Sequence, residues 1–267
     1  MDNPRFYGNA PFGVAVVHGG PGAAGEVADV ARALSAGGRG VIEPLQTAAT
    51  LEGQVRELHG LLAAHAARPA TLIGWSWGAW LAYLVAARDP AAVRKLVLVS
   101  SGPFEDRYVP AIRATRLGRL SDGERAEMIA IEKALDDPAA AVTDGLLVRL
   151  GELCGKADAY APLPAGDEVV DVRADIYRGV WEEAAALRRS GGLLELAARI
   201  RCPVVAVHGD YDPHPYRGVV DPLAKALTDF RSILLARCGH TPWREQKART
   251  AFFAVMKREL PPGKPRS

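Results

Sequence analysis

Residues 70–78 read Ala-Thr-Leu-Ile-Gly-Trp-Ser-Trp-Gly, and this stretch decides the fold. Ala70 to Gly74 is a short apolar run that predicts a buried strand, and Trp77 to Arg88 predicts a helix. A Gly-x-Ser-x-Gly segment between a strand and a helix is typical of a sharp turn that exposes the serine hydroxyl. A serine that merely packs in a tight turn is the alternative. The strand-to-helix setting favours Ser76 as a nucleophile.

The same alternation of short apolar runs and longer helical patterns continues on both sides of this stretch. Strands buried on both faces read as continuous apolar runs, and strand-helix alternation predicts right-handed crossovers between parallel strands. The further predicted strands are Phe12 to His18, Gly40 to Pro44, Lys95 to Ser100, Pro203 to His208 and Arg231 to Ala236. The further predicted helices are Glu26 to Ala36, Leu51 to Ala67, Val219 to Phe230 and Trp243 to Leu260. We therefore expect an α/β fold with a mostly parallel sheet of about six strands.

Between residues 103 and 199 the strand signal disappears and helical patterns replace it. Ser121 with Glu124 is a capping box, and Asp175 to Ser190 predicts a helix that ends at a Gly-Gly pair. This segment has a net charge of −5, against +7 for the rest of the chain. The sequence predicts a core built from residues 1–102 and 200–267, with residues 103–199 inserted as a helical cap.

Two further polar segments follow predicted strands. Residues 208–213 read His-Gly-Asp-Tyr-Asp-Pro, and residues 238–243 read Cys-Gly-His-Thr-Pro-Trp. The chain order Ser76, Asp212, His240 is the order of nucleophile, acid and base in one large class of serine hydrolases. Loops at the carboxyl ends of parallel strands share one edge of a sheet, so the three side chains can converge. The other carboxylates considered for the acid are Asp210, Glu105 and Asp106.

The first predicted strand ends in a glycine-rich turn, residues 18–22, which reads His-Gly-Gly-Pro-Gly. Glycines there let backbone N–H groups approach an oxyanion closely. A phosphate-binding turn or a plain loop are the alternatives, but Ala23-Ala24 follows where a phosphate loop would have Lys-Ser/Thr. We expect His18 to be a structural histidine that holds this loop.

Composition limits the other functions of the 267-residue chain. It is 49% hydrophobic and 24% charged with a net charge of +2, and it has no basic stripe interleaved with aromatics, so we expect no nucleic-acid partner. Three scattered cysteines predict neither a disulfide framework nor a metal site. No signal peptide and no 18-residue apolar run is evident, so the expectations are a cytoplasmic protein, no membrane span, no metal and no cofactor.

The His-Gly-Gly-Pro-Gly turn and the Gly-Trp-Ser-Trp-Gly elbow resemble those of the α/β-hydrolase superfamily, in particular its proline iminopeptidase group. The resemblance implies Ser76 as nucleophile, His240 as base and Asp212 as the acid that orients the base. It also implies an oxyanion hole formed by the backbone N–H groups of Gly20 and Trp77. The family usually has two strands before the one that ends in the His-Gly turn, and here too few residues precede it, so both are expected to be missing.

The resulting expectation is a serine hydrolase that cleaves a small carboxylic ester or amide, or a short peptide, through an acyl-enzyme. The alternatives are an aminopeptidase, a non-hydrolytic lyase that uses the same three residues, and a ligand-binding protein that keeps the fold without catalysis. Trp77 and Trp181 are candidate substrate-binding residues. The pair Glu182-Glu183 beside Trp181 is a candidate anchor for a substrate amine, with a solvated helix face as the alternative.

Overall fold

Seven strands form the central sheet of the computed structural model, which describes residues 3–137, 140, 142–164 and 170–260. In spatial order they are β1-β4-β2-β5-β6-β8-β9. Their bounds are Arg5–Tyr7 (β1), Phe12–Val17 (β2), Gly40–Glu43 (β4), Ala70–Trp75 (β5), Val93–Val99 (β6), Val204–Gly209 (β8) and Phe230–Leu235 (β9). A separate two-residue pair joins β3 (Ala23–Ala24) to β7 (Asp171–Val172). The α/β-hydrolase fold predicted from the sequence is confirmed.

The helices follow the predicted order. Their bounds are Ala28–Ser35 (α1), Leu51–His65 (α2), Trp77–Arg88 (α3), Val109–Arg119 (α4), Asp122–Asp136 (α5), Asp144–Asp158 (α6), Ala174–Arg189 (α7), Gly192–Glu195 (α8), Tyr216–Ala226 (α9) and Arg249–Glu259 (α10). Short 3₁₀ turns lie at Pro90–Ala92, Asp106–Tyr108, Leu196–Arg199 and Pro242–Arg244. The predicted helix from Trp243 to Leu260 is thus divided into a 3₁₀ turn and α10.

Both faces of the sheet are buried, and successive residues of each central strand alternate between two apolar clusters. In β6, Leu96 and Leu98 face one cluster, while Val97 and Val99 face the other. Helices α2, α3 and α9 cover the first face, and α1 and α10 cover the second. Burial on both faces explains why these strands read as unbroken apolar runs.

The sheet differs from the prediction at one edge. Six strands are parallel, as expected, but Arg5–Tyr7 adds a seventh that pairs antiparallel with β4. One of the two early strands expected to be missing is therefore present. With only three residues and Phe6 48% exposed, this edge strand is too short to show an alternating pattern in the sequence.

Residues 103–199 leave the sheet after β6 and return to it at β8, and their described part holds α4 to α8 with the short strand β7. Helices α4, α5 and α6 share a small apolar cluster of their own, which includes Leu120, Met128 and Leu153. Helix α7 instead packs Ile176 and Val180 into the main core. The capping box from Ser121 to Glu124 begins α5 as predicted. The segment thus combines a small cluster of three helices with one helix, α7, that packs against the main core.

Candidate active site

Ser76 lies at the turn between β5 and α3 in a strained conformation, with φ 54° and ψ −118°. Its N–H donates to the Val99 carbonyl at 2.9 Å, which fixes the turn against the neighbouring strand. The flanking glycines permit the close approach of strand and helix. A Cβ on Gly74 would lie 2.1 Å from the Gly78 carbonyl oxygen, and one on Gly78 would lie 2.3 Å from the His18 carbonyl oxygen. Non-glycine residues with positive φ concentrate at functional sites.

The structure brings the three predicted catalytic residues together. The Ser76 hydroxyl Oγ lies 3.1 Å from His240 Nε2, and His240 Nδ1 lies 2.9 Å from Asp212 Oδ2. The hydroxyl is partly accessible, whereas the Asp212 side chain is fully buried. A nucleophile within hydrogen-bond reach of a base that a third group orients is the geometry of nucleophilic catalysis.

Two further histidines, which the sequence interpretation did not assign, lie beside Asp212, and one of them, His214, donates hydrogen bonds to it. Its Oδ1 accepts the backbone N–H and the Nδ1–H of His214, each at 2.9 Å. His208 Nε2 lies 3.4 Å from Oδ2 and donates to the His214 carbonyl at 2.7 Å. The ring of His214 stacks on that of His240 with centroids 4.4 Å apart. Asp212 is therefore fixed by two N–H groups of His214 as well as by the His240 ring.

The charges around His240 and Asp212 shift their two pKa values in opposite directions. Burial alone would lower the pKa of His240, but the Asp212 carboxylate outweighs burial and raises it above the ordinary 6.5. Burial alone would raise the pKa of Asp212, but His240, His208 and His214 hold it well below its usual range. Burial lowers the pKa of His214 to about 4, so His214 is neutral near pH 7.

The glycine-rich turn lies directly against Ser76. A Cβ on Gly19 would lie 3.2 Å from Ser76 Cβ and 2.6 Å from the Trp75 ring. Gly20 has φ 45°, and its carbonyl accepts the Ala23 N–H at 2.8 Å. Trp77 is the first residue of α3, so its N–H has no acceptor within the helix. These positions suit the two predicted oxyanion donors.

His18 holds this turn, in agreement with the structural role expected for it. Its Nδ1 lies 2.7 Å from the Gly19 carbonyl, and its Nε2 accepts the Gln46 N–H at 3.1 Å. An N–H donor to Nε2 and a carbonyl acceptor at Nδ1 fix the neutral tautomer that carries its proton on Nδ1. Burial lowers the pKa of His18 to about 4, which keeps the ring neutral.

The Trp77 indole does not lie where the sequence interpretation placed it. The residue is 3% exposed, and its indole N–H donates to Gln54 Oε1 at 2.9 Å and to Gln46 Oε1 at 3.1 Å. Since its apolar ring belongs to the main core and its polar atom is satisfied there, the side chain is structural. The correction concerns only the ring, because the backbone N–H of Trp77 keeps its candidate role. Gln46 connects this indole to the His18 loop.

Trp181, the other candidate substrate-binding residue, is 38% exposed on α7. Its ring stacks on Trp80 with centroids 6.2 Å apart, and on Tyr177 at the same distance. The neighbouring Glu183 accepts the Leu51 N–H at 2.8 Å, at the start of α2. Glu183 therefore caps a helix, whereas Glu182 is exposed. The pair therefore matches the alternative of a solvated helix face, in which one of the two acids also caps the start of α2.

The alternative acids are engaged elsewhere. Asp210 is exposed, and its Oδ1 accepts the Cys238 N–H at 3.1 Å. Glu105 pairs with Arg107 at 2.7 Å, and Asp106 pairs with Arg188 at 3.1 Å. Asp212 is the acid in contact with the His240 ring.

Two buried acids connect the cap to the His240 loop, and the sequence interpretation did not identify either of them. Asp158 forms a two-point pair with Arg116 at 2.8 and 2.6 Å, and its carbonyl accepts the His240 N–H at 3.0 Å. Glu245, which is 1% exposed, accepts the N–H groups of Tyr160, Ala161 and Gly239 at 2.7–3.0 Å. The position of His240 therefore depends on the end of α6.

Asp158, His214 and His240 have potential metal-ligand atoms within 4.8 Å of one another. Each of them already has a partner. Asp158 pairs with the Arg116 guanidinium, and both ring nitrogens of His240 bind Asp212 or Ser76. A cation there would face the positive charge of Arg116 and compete with the Ser76 contact, so these three residues are poorly suited to bind a metal ion.

A family model described as the alpha/beta hydrolase family matches residues 14–252. The chain belongs to the alpha/beta hydrolase family. It is an enzyme of the hydrolase class. In the described part of this hydrolase, no helix combines the length and apolar character needed to cross a membrane.

One relative is the pimeloyl-[acyl-carrier protein] methyl ester esterase of Chromobacterium violaceum, 29% identical over 190 residues, which cover 68% of the chain and 67% of the relative. A proline iminopeptidase of Mycobacterium smegmatis shares the fold with TM-score 0.64 and 19% identity, covering 96% of the chain and 92% of its own. The 2-hydroxy-6-oxo-6-phenylhexa-2,4-dienoate hydrolase of Rhodococcus sp. strain RHA1 shares it with TM-score 0.60 and 17% identity, over 94% and 92%. These relatives act on different substrates, so the fold alone names none for this chain.

Proposed function

We propose that this hydrolase cleaves carboxylic esters through an acyl-enzyme, with Ser76 as nucleophile, His240 as general base and acid, and Asp212 as the orienting acid. The supporting observation is the continuous chain of contacts, 3.1 Å from Ser76 to His240 and 2.9 Å from His240 to Asp212, at a strained strand-to-helix turn. A protein that only bound a ligand would not need this chain.

The chemistry follows from these contacts. The His240 Nε2 accepts the Ser76 proton while Oγ attacks the ester carbonyl, and Asp212 stabilises the imidazolium without taking the proton. His240 then donates that proton to the departing alcohol, which leaves an acyl group on Ser76. A water molecule, deprotonated by His240, attacks the acyl group, and the carboxylic acid leaves as the proton returns to Oγ.

The negative charge of both tetrahedral intermediates needs donors that are already in place. The backbone N–H groups of Gly20 and Trp77 are the proposed donors, one from the loop beside Ser76 and one from the first turn of α3. A single donor of this kind contributes about 3–4 kcal/mol to the transition state. The first turn of α3 adds the positive end of its dipole.

An ester is the proposed scissile group because the relative from Chromobacterium violaceum is named as a methyl ester esterase. The cap pair proposed as an amine anchor for an aminopeptidase does not support that alternative, since Glu183 is occupied by the Leu51 N–H. We propose that the exposed Trp181 contributes to the substrate side of the cap. A cytoplasmic location also remains part of the proposal, supported by three free cysteines.

The test compares hydrolysis of p-nitrophenyl butanoate with that of proline p-nitroanilide by the wild-type protein and by Ser76→Ala. The wild-type protein is expected to turn over the ester with the higher kcat/KM, and Ser76→Ala is expected to lose both activities. Preference for the arylamide would replace the ester proposal with an aminopeptidase. Activity that survives in Ser76→Ala would remove the acyl-enzyme mechanism.

A further inference from the structure

Glu26 follows the glycine-rich turn and has no assigned role in the mechanism. Its Oε2 lies 3.8 Å from the position that a Cβ on Gly20 would take. Among the described residues, no donor or cation lies within hydrogen-bond or ion-pair distance of this carboxyl group. Glu26 thus lies beside a proposed oxyanion donor without a partner of its own. A bound ligand is therefore a candidate for that partner.

Glu26 is a half-buried residue near the proposed catalytic base. The residue keeps some accessible surface, yet enough protein surrounds it that burial raises the pKa of its carboxyl group to about 7. The ring of His240 and the side chain of Arg244 act in the opposite direction and lower that pKa, which places both near Glu26. Glu26 therefore lies close to both the glycine-rich turn and the proposed base.

The nearby cations are already paired with other acids. Arg244 lies 3.7 Å from Asp29, and Arg116 is held by Asp158. Asp212 adds a further negative charge, which is shared with histidines. Among the residues that the structure describes, none therefore acts as a counter-ion in contact with the Glu26 carboxylate, and a bound cation would supply one.

We propose that Glu26 binds a cationic amine on the acyl part of the substrate, so that amine-bearing carboxylic esters are the preferred substrate class. This inference rests on the ester hydrolysis proposed above and specifies its substrate. An ammonium ion at Glu26 pairs with the ionised carboxylate and offsets the cost of burying its charge. A neutral acyl chain leaves that charge unpaired, or leaves the carboxyl group protonated.

The kinetic test compares alanine methyl ester, N-acetylalanine methyl ester and methyl butanoate. The wild-type enzyme is expected to prefer the free amine over its acetylated form by at least tenfold in kcat/KM. Glu26→Gln should lose at least tenfold on alanine methyl ester and change less than twofold on methyl butanoate, while the exposed control Glu195→Gln matches wild type. Equal losses on all three esters, or loss of the preference in Glu182→Gln instead, would overturn the assignment.

A second measurement does not depend on hydrolysis. The carboxyl carbon of Glu26, identified by comparison with Glu26→Gln, is titrated by NMR in Ser76→Ala with and without alaninamide. Alaninamide is expected to lower the pKa of Glu26 from about 7 by at least one pH unit, and N-acetylalaninamide to leave it unchanged. If alaninamide shifts the pKa but the wild-type protein hydrolyses no ester, the proposed function alone is refuted. Ester hydrolysis without the shift would refute the amine site alone.

Discussion

The Asp212 carboxylate contacts His240 Nδ1 at 2.9 Å through one oxygen and binds His214 through the other. Asp212→Asn keeps the size of the side chain but removes the charge that stabilises the imidazolium. We expect kcat for ester hydrolysis to fall by about 10³–10⁴, as removal of this charge does in serine hydrolases. The matched control is Asp210→Asn, since the Asp210 side chain lies in the same loop and accepts the Cys238 N–H rather than contacting His240. A larger loss in the control would move the acid to Asp210.

The pH dependence of the reaction follows from the protonation of His240. The base must be neutral to accept the Ser76 proton, and the Asp212 charge raises the pKa of His240 above 6.5 against the effect of burial. We therefore expect kcat/KM to be lost as the pH falls through a value above 6.5 and to be full above it. In Asp212→Asn, burial then dominates, and the remaining activity should persist to lower pH. A midpoint that stays unchanged in this variant would contradict the account.

His214 is expected to act as a positioning residue through Asp212. His214→Phe keeps an aromatic ring beside His240 but removes the Nδ1–H donor to Oδ1, which leaves a buried carboxylate less satisfied. A hydrogen bond to a charged group contributes about 1.5–3 kcal/mol, so kcat/KM should fall at least tenfold. The lost donor also leaves more of the carboxylate charge for His240, so the acid limb should move to higher pH.

His214→Asn is the matched variant, because its amide N–H can reach Oδ1 without the ring. Its kcat/KM is expected within threefold of wild type, with an unshifted acid limb. If both variants behave alike in rate and pH profile, stacking or general packing rather than the hydrogen bond explains the effect.

The buried pair of Arg116 and Asp158 is expected to stabilise the junction between cap and core. The Asp158 side chain is only 5% exposed, so Arg116→Met leaves its charge without a counter-ion. We expect the free energy of unfolding in urea to fall by about 3 kcal/mol. Arg149→Met removes exposed ion pairs with Glu127 and Glu152, which solvent screens, so it should change the free energy of unfolding much less. If the two variants change the free energy of unfolding equally, the pair of Arg116 and Asp158 stabilises the protein no more than an exposed ion pair does.

The convergence of the three candidate catalytic residues could be predicted from the sequence because each of them lies at a strand end. Ser76, Asp212 and His240 each follow an apolar run, and parallel strands place such loops at one edge of the sheet. Periodicity also separated the sheet from the helical segment after Val99. The Gly-x-Ser-x-Gly pattern also predicted a sharp turn at Ser76. Such a turn between a strand and a helix leaves the serine backbone few conformations other than the strained one observed.

The remaining features depend on contacts that periodicity does not encode. Arg116 and Asp158 are 42 residues apart on different helices, and a helical pattern gives the buried face of each helix but not its partner. Trp77 was a candidate substrate-binding residue, next to the proposed nucleophile, yet Gln46 and Gln54 accept its indole N–H inside the core. His214 had one signal, a histidine two residues after the proposed acid, which the sequence interpretation left unused.

The central claim is that Ser76 forms a covalent intermediate with help from His240. The most direct measurement is intact-protein and peptide mass spectrometry after reaction with a fluorophosphonate, on the wild-type protein and on folded Ser76→Ala. The account predicts one adduct per wild-type chain, located on Ser76, and none on the variant. An adduct on another residue, labelling that survives in Ser76→Ala, or folded wild-type protein that does not react would contradict it.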